Sequence, residues 1–460
     1  MMNYISEKLT NFAKDTTFKD IPKEVREKVK LHLLDSLGIG IRGHNSTPVN
    51  AVFSAFSKLN TTDEGASVIL GDRKFRAPTA AMINGTHIHS LDFDDTELEG
   101  CVHLSTCAVP SALSVGEENK ASGKEIISAI TVGYETMIRL GMAAPWEFHD
   151  RGMHATPFCG IFASALIAGK LMELEKSEMV NALGICGSMV TPSAQQFLVS
   201  GEPIKCIHPG IASKLGILAA IFSREGLEGP DEIFEGSLGI YKVFLGENNY
   251  SLEKLTEGLN RKWKTLDISV KTYPSCHITH SYMDCTNRIL KRQDLSPKDI
   301  KEIVCVVEKT PSKVVCEPIE EKRKPKTGYG AKFSVPYCVS LVMHGKGKRV
   351  KDFEDRKVQA EKSVKDTASK VRCDTRPEIE GGLPGWVIVE TINGDKFEEK
   401  QKFPKGHPKN PITEKEILEK FEKNTEKRFD KKERTNIVDK VKKLEKTEDI
   451  NSLTKLLEIR

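Results

Sequence analysis

The hydrophobic period of this chain changes once, near residue 266, and that change constrains the fold more than any other feature. Before it, segments such as "SGKEIISAITVGYETMIRLGMA" and "HPGIASKLGILAAIFSREG" repeat apolar residues at i, i+3 and i+4, with Ser, Thr, Pro or Gly between them. After it, "TLDISVKTYP" and "KEIVCVVEKT" carry β-branched strand-like runs, and "GWVIVETINGDKFEEKQ" signals a hairpin with Asn393-Gly394 as a type I′ turn. Helical patterns recur around 280–292, 333–345 and 353–371, and again from Thr413, where Thr413 and Glu416 can form a capping box. The expectation is a mainly α protein in at least two lobes: a large all-helical domain and a smaller α+β region over about 268–400. A chain of 460 residues exceeds the size at which a single core stops growing.

Charge and cysteine content exclude several classes of partner. The 69 Lys and Arg nearly cancel 65 Asp and Glu, and no basic arm stands out, which argues against nucleic acid. Eleven cysteines without a CxxC pair fit neither a disulfide framework nor a zinc ribbon, so a reducing cytoplasm is the simplest reading. "MMNYISEKLTNFAKD" is amphipathic and has no apolar h-region, so no secretory signal is expected. "ATPFCGIFASALIAGKLM" at 155–172 is nearly long enough to span a membrane, but its Thr, Pro and small residues favour a buried bundle helix and no membrane partner. The 413–460 tail, rich in Lys and Glu, reads as a solvated helical face.

Candidate chemistry concentrates in "HSLDFDDTELEGCVHLS" at 89–105, an acidic stretch between two apolar ones. Buried carboxylates are costly unless paired. Asp94, Asp95, Glu97 and Glu99 could ligate a hard cation such as Mg²⁺. Asp92, Thr96 and His103 could instead hold a substrate and move protons. The charges could also simply cap helix ends and loops. "GIGIRG" at 38–43 matches GxGxxG, yet follows a segment of helical period and not a strand, which points to a glycine-rich helix end. Further cations and imidazoles fall at junctions: His154 in "GMHAT", Lys205 and His208 in "KCIHPG", Lys271, His277 and His280 in "VKTYPSCHITH", and Lys332 with Tyr337 in "AKFSVPY". Together they suggest a metal-free pocket for a small polyanion at a domain interface.

These segments in this order, "HSLDFDDT…H", "GMHAT", "K…HPGIASKLG", "VKTYPSCHITH" and "AKFSVPY", resemble the signature segments of the MmgE/PrpD family across about residues 20–400. The family includes 2-methylcitrate dehydratases, cis-aconitate decarboxylases and iminodisuccinate epimerases. The resemblance implies a helical domain built from both chain ends, 1–267 and 401–460, with an α+β lid domain, 268–400, inserted between them. It also implies a homodimer and no required cofactor or metal. Its active-site positions carry over onto Asp92, Thr96, His103, His154, Lys205, Lys271 and Tyr337, with His208, His277 and Lys332 in the same segments. Leu104 stands where the family commonly has proline, and the loop from Thr96 to His103 varies in length among members.

The expected chemistry is removal or delivery of a proton beside a carboxylate. Lys205 and Lys271 would neutralise substrate carboxylates, with His277 and Lys332 beside them. His103, oriented by Asp92, would be the general base or acid, and His154 and Tyr337 would complete the proton transfer. Thr96 would bond a carboxylate or the leaving hydroxyl. A 2-methylcitrate dehydratase-like hydro-lyase is the leading reading, followed by cis-aconitate decarboxylation and epimerisation. A Mg²⁺-dependent lyase and a non-catalytic helical scaffold are the alternatives from other classes.

Overall fold

The computed structural model describes residues 4–59, 62, 64–191, 193–377 and 382–459. It is mainly α-helical with one small sheet. Long helices Lys23–Gly43, Ala77–His89, Ser105–Glu118, Gly123–Met142, Ala155–Leu171 and His208–Arg224 pack into a bundle. Ser122 and Glu125 close a capping box at the start of Gly123–Met142, satisfying orphan N–H groups there. Ala155–Leu171, the most apolar of these helices, is buried along its whole length save Lys170. The segment Pro203–Arg224 is long and apolar enough to cross a membrane, but most of it is buried inside the protein. "GIGIRG" lies in the last turns of Lys23–Gly43, with no strand before it.

One close approach decides where the functional residues meet. A Cβ on Gly85 would stand 3.0 Å from the Gly210 Cα, and one on Gly210 would stand 2.3 Å from the Met82 carbonyl. Glycine on both helices therefore lets the end of Ala77–His89 come against the start of His208–Arg224. His89 and Lys205 are brought within reach of each other by that crossing.

The C-terminal tail departs from its expected solvated face. Phe421, Phe429, Ile437, Val441 and Leu444 share one core with Leu9, Phe12 and Leu37 from the other end of the chain. Lys420 is also drawn in, with Nζ 2.9 Å from Asp35 and 3.0 Å from the Phe93 carbonyl. The dense Lys and Glu of the tail occupy the remaining faces of helices whose apolar positions are few but fully used. Thr413 and Glu416 form the expected capping box before Glu414–Thr425.

The sheet has the order β2-β1-β3-β4, with β1 Ile300–Glu308, β2 Val371–Arg376, β3 Gly385–Thr391 and β4 Lys396–Gln401. β1 and β2 run parallel, and the other pairs are antiparallel. His277–Gln293 covers one face. The β3–β4 turn is not type I′: Gly394 N–H bonds the Thr391 carbonyl, and of Asn393-Gly394 only the glycine has positive φ, at 91°. That is a type I turn followed by a left-handed glycine, the three-residue hairpin loop. "TLDISVKTYP" also forms no sheet strand. It runs as a short 3₁₀ turn, Lys264–Asp267, and an extended segment bridged to Thr96 through Ser269 and to Gly406 through Val270. The bridge holds Lys271 beside the 92–96 loop.

Candidate active site

A partly enclosed cavity lies where these segments meet. Asp92, Thr96, His103, His154, Lys205, Lys271 and His277 all line it. Four other lining features were not foreseen: His149, Gln195, and the aromatic rings of Trp146 and Phe197. Asp92, Cys101, Trp146 and Leu383 line the cavity with φ of 51°, 53°, 63° and 57°. Left-handed backbone at a non-glycine residue costs on the order of 1–3 kcal/mol, and such strain gathers at functional sites.

Each of the three opening aspartates has its own partner. Asp92 is 2.7 Å from Lys205 Nζ through Oδ1 and 3.0 Å from Lys271 Nζ through Oδ2. All three side chains are buried. Burial alone would raise the Asp92 pKa, but Lys205 and Lys271 outweigh it and hold the carboxyl well below its ordinary value. Asp94 lies between two imidazoles, 3.0 Å from His89 Nδ1 and 2.8 Å from His103 Nδ1. Asp95 accepts from the Ser105 N–H at 3.0 Å and lies 2.9 Å from His32 Nδ1. Glu97 accepts from the backbone N–H of Glu99 and Gly100, and burial raises its pKa to about 7. Glu99 pairs with Lys264 at the surface.

The acceptors around each ring place its proton. His103 Nδ1 faces the Asp94 carboxylate and, at 3.1 Å, the Asp95 carbonyl, so Nδ1 carries the hydrogen and Nε2 a lone pair. His89 is held the same way by Asp94. Lys205 Nζ then donates to Asp92, to His89 Nε2 at 2.9 Å and to His103 Nε2 at 3.3 Å, using all three ammonium hydrogens. Burial, followed by Lys205, pushes the His103 pKa down to about 3, so the ring rests neutral as a base. His103 is partly exposed to the cavity. His154 and His208 share one hydrogen bond between their Nδ1 atoms, 3.2 Å apart. Thr96 Oγ1 is 3.1 Å from His277 Nδ1.

Three of the expected roles need correction. His103 is oriented by Asp94 and not by Asp92, which is occupied with the two lysines. Tyr337 does not line the cavity. It faces away, in a cluster with Tyr273, Met283, Leu341 and Phe353, because Ser334 caps the helix Val335–Met343 and the phase of that helix points residue 337 inward. Phe333, just ahead of the cap, reaches the cavity from the same segment. Lys332 is spent as a strap: its buried Nζ donates to the Leu91 carbonyl at 2.8 Å and the Pro274 carbonyl at 2.7 Å, tying the 91–95 loop to the second region.

His89, His103 and His154 are close enough to share a metal ion. The Lys205 ammonium lies against His89 and His103, and Asp94 backs both of these rings as an outer-shell carboxylate would back zinc ligands. Lys205→Ala is therefore expected to bind about one equivalent of Zn²⁺ per chain on dialysis, measured by elemental analysis, with the unaltered protein binding none at the same concentration.

The comparisons with known proteins decide the family. The MmgE/PrpD N-terminal domain matches residues 7–253, and the MmgE/PrpD C-terminal domain matches residues 273–445. The chain belongs to the MmgE/PrpD family. Cis-aconitate decarboxylase of Aspergillus terreus is 27% identical over 484 residues, covering 98% of this chain and 96% of that one. Cis-aconitate decarboxylase of Homo sapiens is 27% identical over 478 residues, covering 99% and 95%. A cis-aconitate decarboxylase-like protein of Aspergillus oryzae is 24% identical over 477 residues, covering 98% and 97%. Family and relatives indicate a lyase. Where MmgE/PrpD members commonly carry proline, Leu104 is fully buried at the start of Ser105–Glu118, and the neighbouring His103 N–H donates to Thr156 Oγ1.

Proposed function

We propose that this MmgE/PrpD protein is a metal-independent lyase for a small di- or tricarboxylate, and that its leading reaction is dehydration of a 2-methylcitrate-like hydroxy acid. The observation that carries this is a neutral His103 that lines the cavity and is held at Nδ1 by Asp94, with its Nε2 accepting from the buried Lys205 ammonium and Lys271 close by. When the substrate carboxylate draws Lys205 away, the freed His103 Nε2 takes the proton from carbon α to that carboxylate. Lys205 and Lys271 neutralise the charge that builds on that carboxylate, in a dry site where such interactions count most. Thr96, held by His277, bonds a second oxygen. The proton that His103 has taken passes to the hydroxyl, which is bonded by His154 on its His208 partner, as the C–O bond breaks, so that an alkene and water leave and His103 is neutral again. In this reading both chain ends build the helical domain, and residues 268–400 act as a lid that supplies Lys271 and His277. The protein works as a homodimer in a reducing cytoplasm.

A second reading is favoured by the names of the relatives. In decarboxylation of cis-aconitate, a protonated group of the same site would deliver a proton to carbon as CO₂ departs. Incubation with 2-methylcitrate, citrate, cis-aconitate and iminodisuccinate in excess EDTA separates the cases. Loss of water from the hydroxy acids is the expected result. Itaconate and CO₂ from cis-aconitate would select the decarboxylase, and turnover only after Mg²⁺ is restored would overturn metal independence.

A further inference from the structure

The cavity lining is of two kinds. One is Asp92, Lys205, Lys271 and the imidazoles; the other is an apolar wall of Phe197, Ile278, Val314 and Leu383, which share one hydrophobic cluster, with Trp146 and Leu198 packed against it. Among the described residues, no arginine lines it. Of its two ammonium groups, one is already balanced by Asp92, and burial keeps His103 and His154 neutral. Glu97 also lines the cavity and the Asp94 carboxylate backs His103, so the polar side has no more than about one net positive charge with which to hold the carboxylate head. A substrate filling the rest of the space must meet hydrocarbon with hydrocarbon.

Resting on the lyase reading above, we propose that the substrate bears an alkyl arm longer than methyl on its polycarboxylate head, and that these six side chains hold the arm. Trp146 and Leu198 are only half-buried, so the apolar wall continues to the opening and a chain can run along it. Next along the sequence, Val199 and Ile204 are exposed at 46% and 48%, which extends apolar surface outward from Leu198 and Lys205. Trp146 and Leu383 reach the wall from left-handed backbone, so strain is spent on placing apolar groups there as well as on the catalytic side.

Titration calorimetry with succinate, methylsuccinate, propylsuccinate and hexylsuccinate tests this without requiring turnover. The dissociation constant is expected to fall about fourfold for each added methylene until the chain leaves the wall. Leu198→Gln should flatten that series and leave succinate binding unchanged; Val314→Phe should shorten the longest chain accepted. Equal or weaker binding of the longer chains, or no binding of any, would overturn the proposal. If chains tighten binding but no polycarboxylate is turned over, the lyase reading falls and the alkyl site stands. If an unbranched polycarboxylate is turned over while chain length adds nothing, the alkyl site falls and the lyase reading stands.

Discussion

His103→Ala is expected to lower kcat by about 10²–10⁴-fold, the span a positioned acid–base group contributes. The fold should hold, because His103 is partly exposed and Asp94 keeps its bond to His89 Nδ1 at 3.0 Å. KM should change little, since Lys205 and Lys271 remain on Asp92 to meet the carboxylate. The loss would then lie in the chemical step. Steady-state rates beside a thermal unfolding curve separate the two effects. Turnover near that of the unaltered protein would remove His103 from the mechanism.

Acid should unfold this protein earlier than carboxylate titration alone would. Burial lowers the pKa of His87, His103, His208 and His280 to about 3. An unfolded histidine titrates near 6.5, so between about pH 6.5 and 3 the unfolded chain binds more protons, and stability falls as pH falls. Each group removes about 1.4 kcal/mol per pH unit, so the four together remove about 5–6 kcal/mol by pH 5.5, while the buried carboxyls of Glu97 and Asp35, raised to about 7 and about 6, take up protons in the folded state and return about 2–3 kcal/mol. The net loss of about 3 kcal/mol is a large share of the stability of a typical domain, about 5–15 kcal/mol. Denaturant titrations are expected to show stability level above pH 7 and lost steeply between about pH 6 and 5. His87, whose ring nitrogens have no hydrogen-bond partner among the described residues and whose ring stacks on His44, offers a check. His87→Phe should reduce the slope by about one group's share. Stability unchanged from pH 7.5 to 5 would contradict this account.

Much of the site was legible because its residues fall in short segments at junctions between helices, where polar groups have no solvated face to occupy. The directions of side chains were not legible. Asp92 and Asp94 sit two apart in a loop, and which one meets His103 depends on the left-handed turn at Asp92, which no periodicity reveals. Tyr337 was misplaced for a similar reason: a motif names its residues but not the helix phase that the Ser334 cap sets. His89 could have been found from its place three residues before Asp92, at the end of a helix whose Gly85 signals close packing. His149 carried no such signal. The 265–274 run was read as a strand because β-branched residues suit any extended buried segment, and only its partners, Thr96 and Gly406, distinguish a bridge from a sheet.

The most direct test is proton NMR in D₂O on EDTA-treated protein with 2-methylcitrate, followed for the unaltered chain and for His103→Ala. The account predicts deuterium entering beside the carboxylate, together with vinylic product, in the first sample, and neither in the second. Exchange at the same rate in both samples would show that the proton moves through another group and would contradict it.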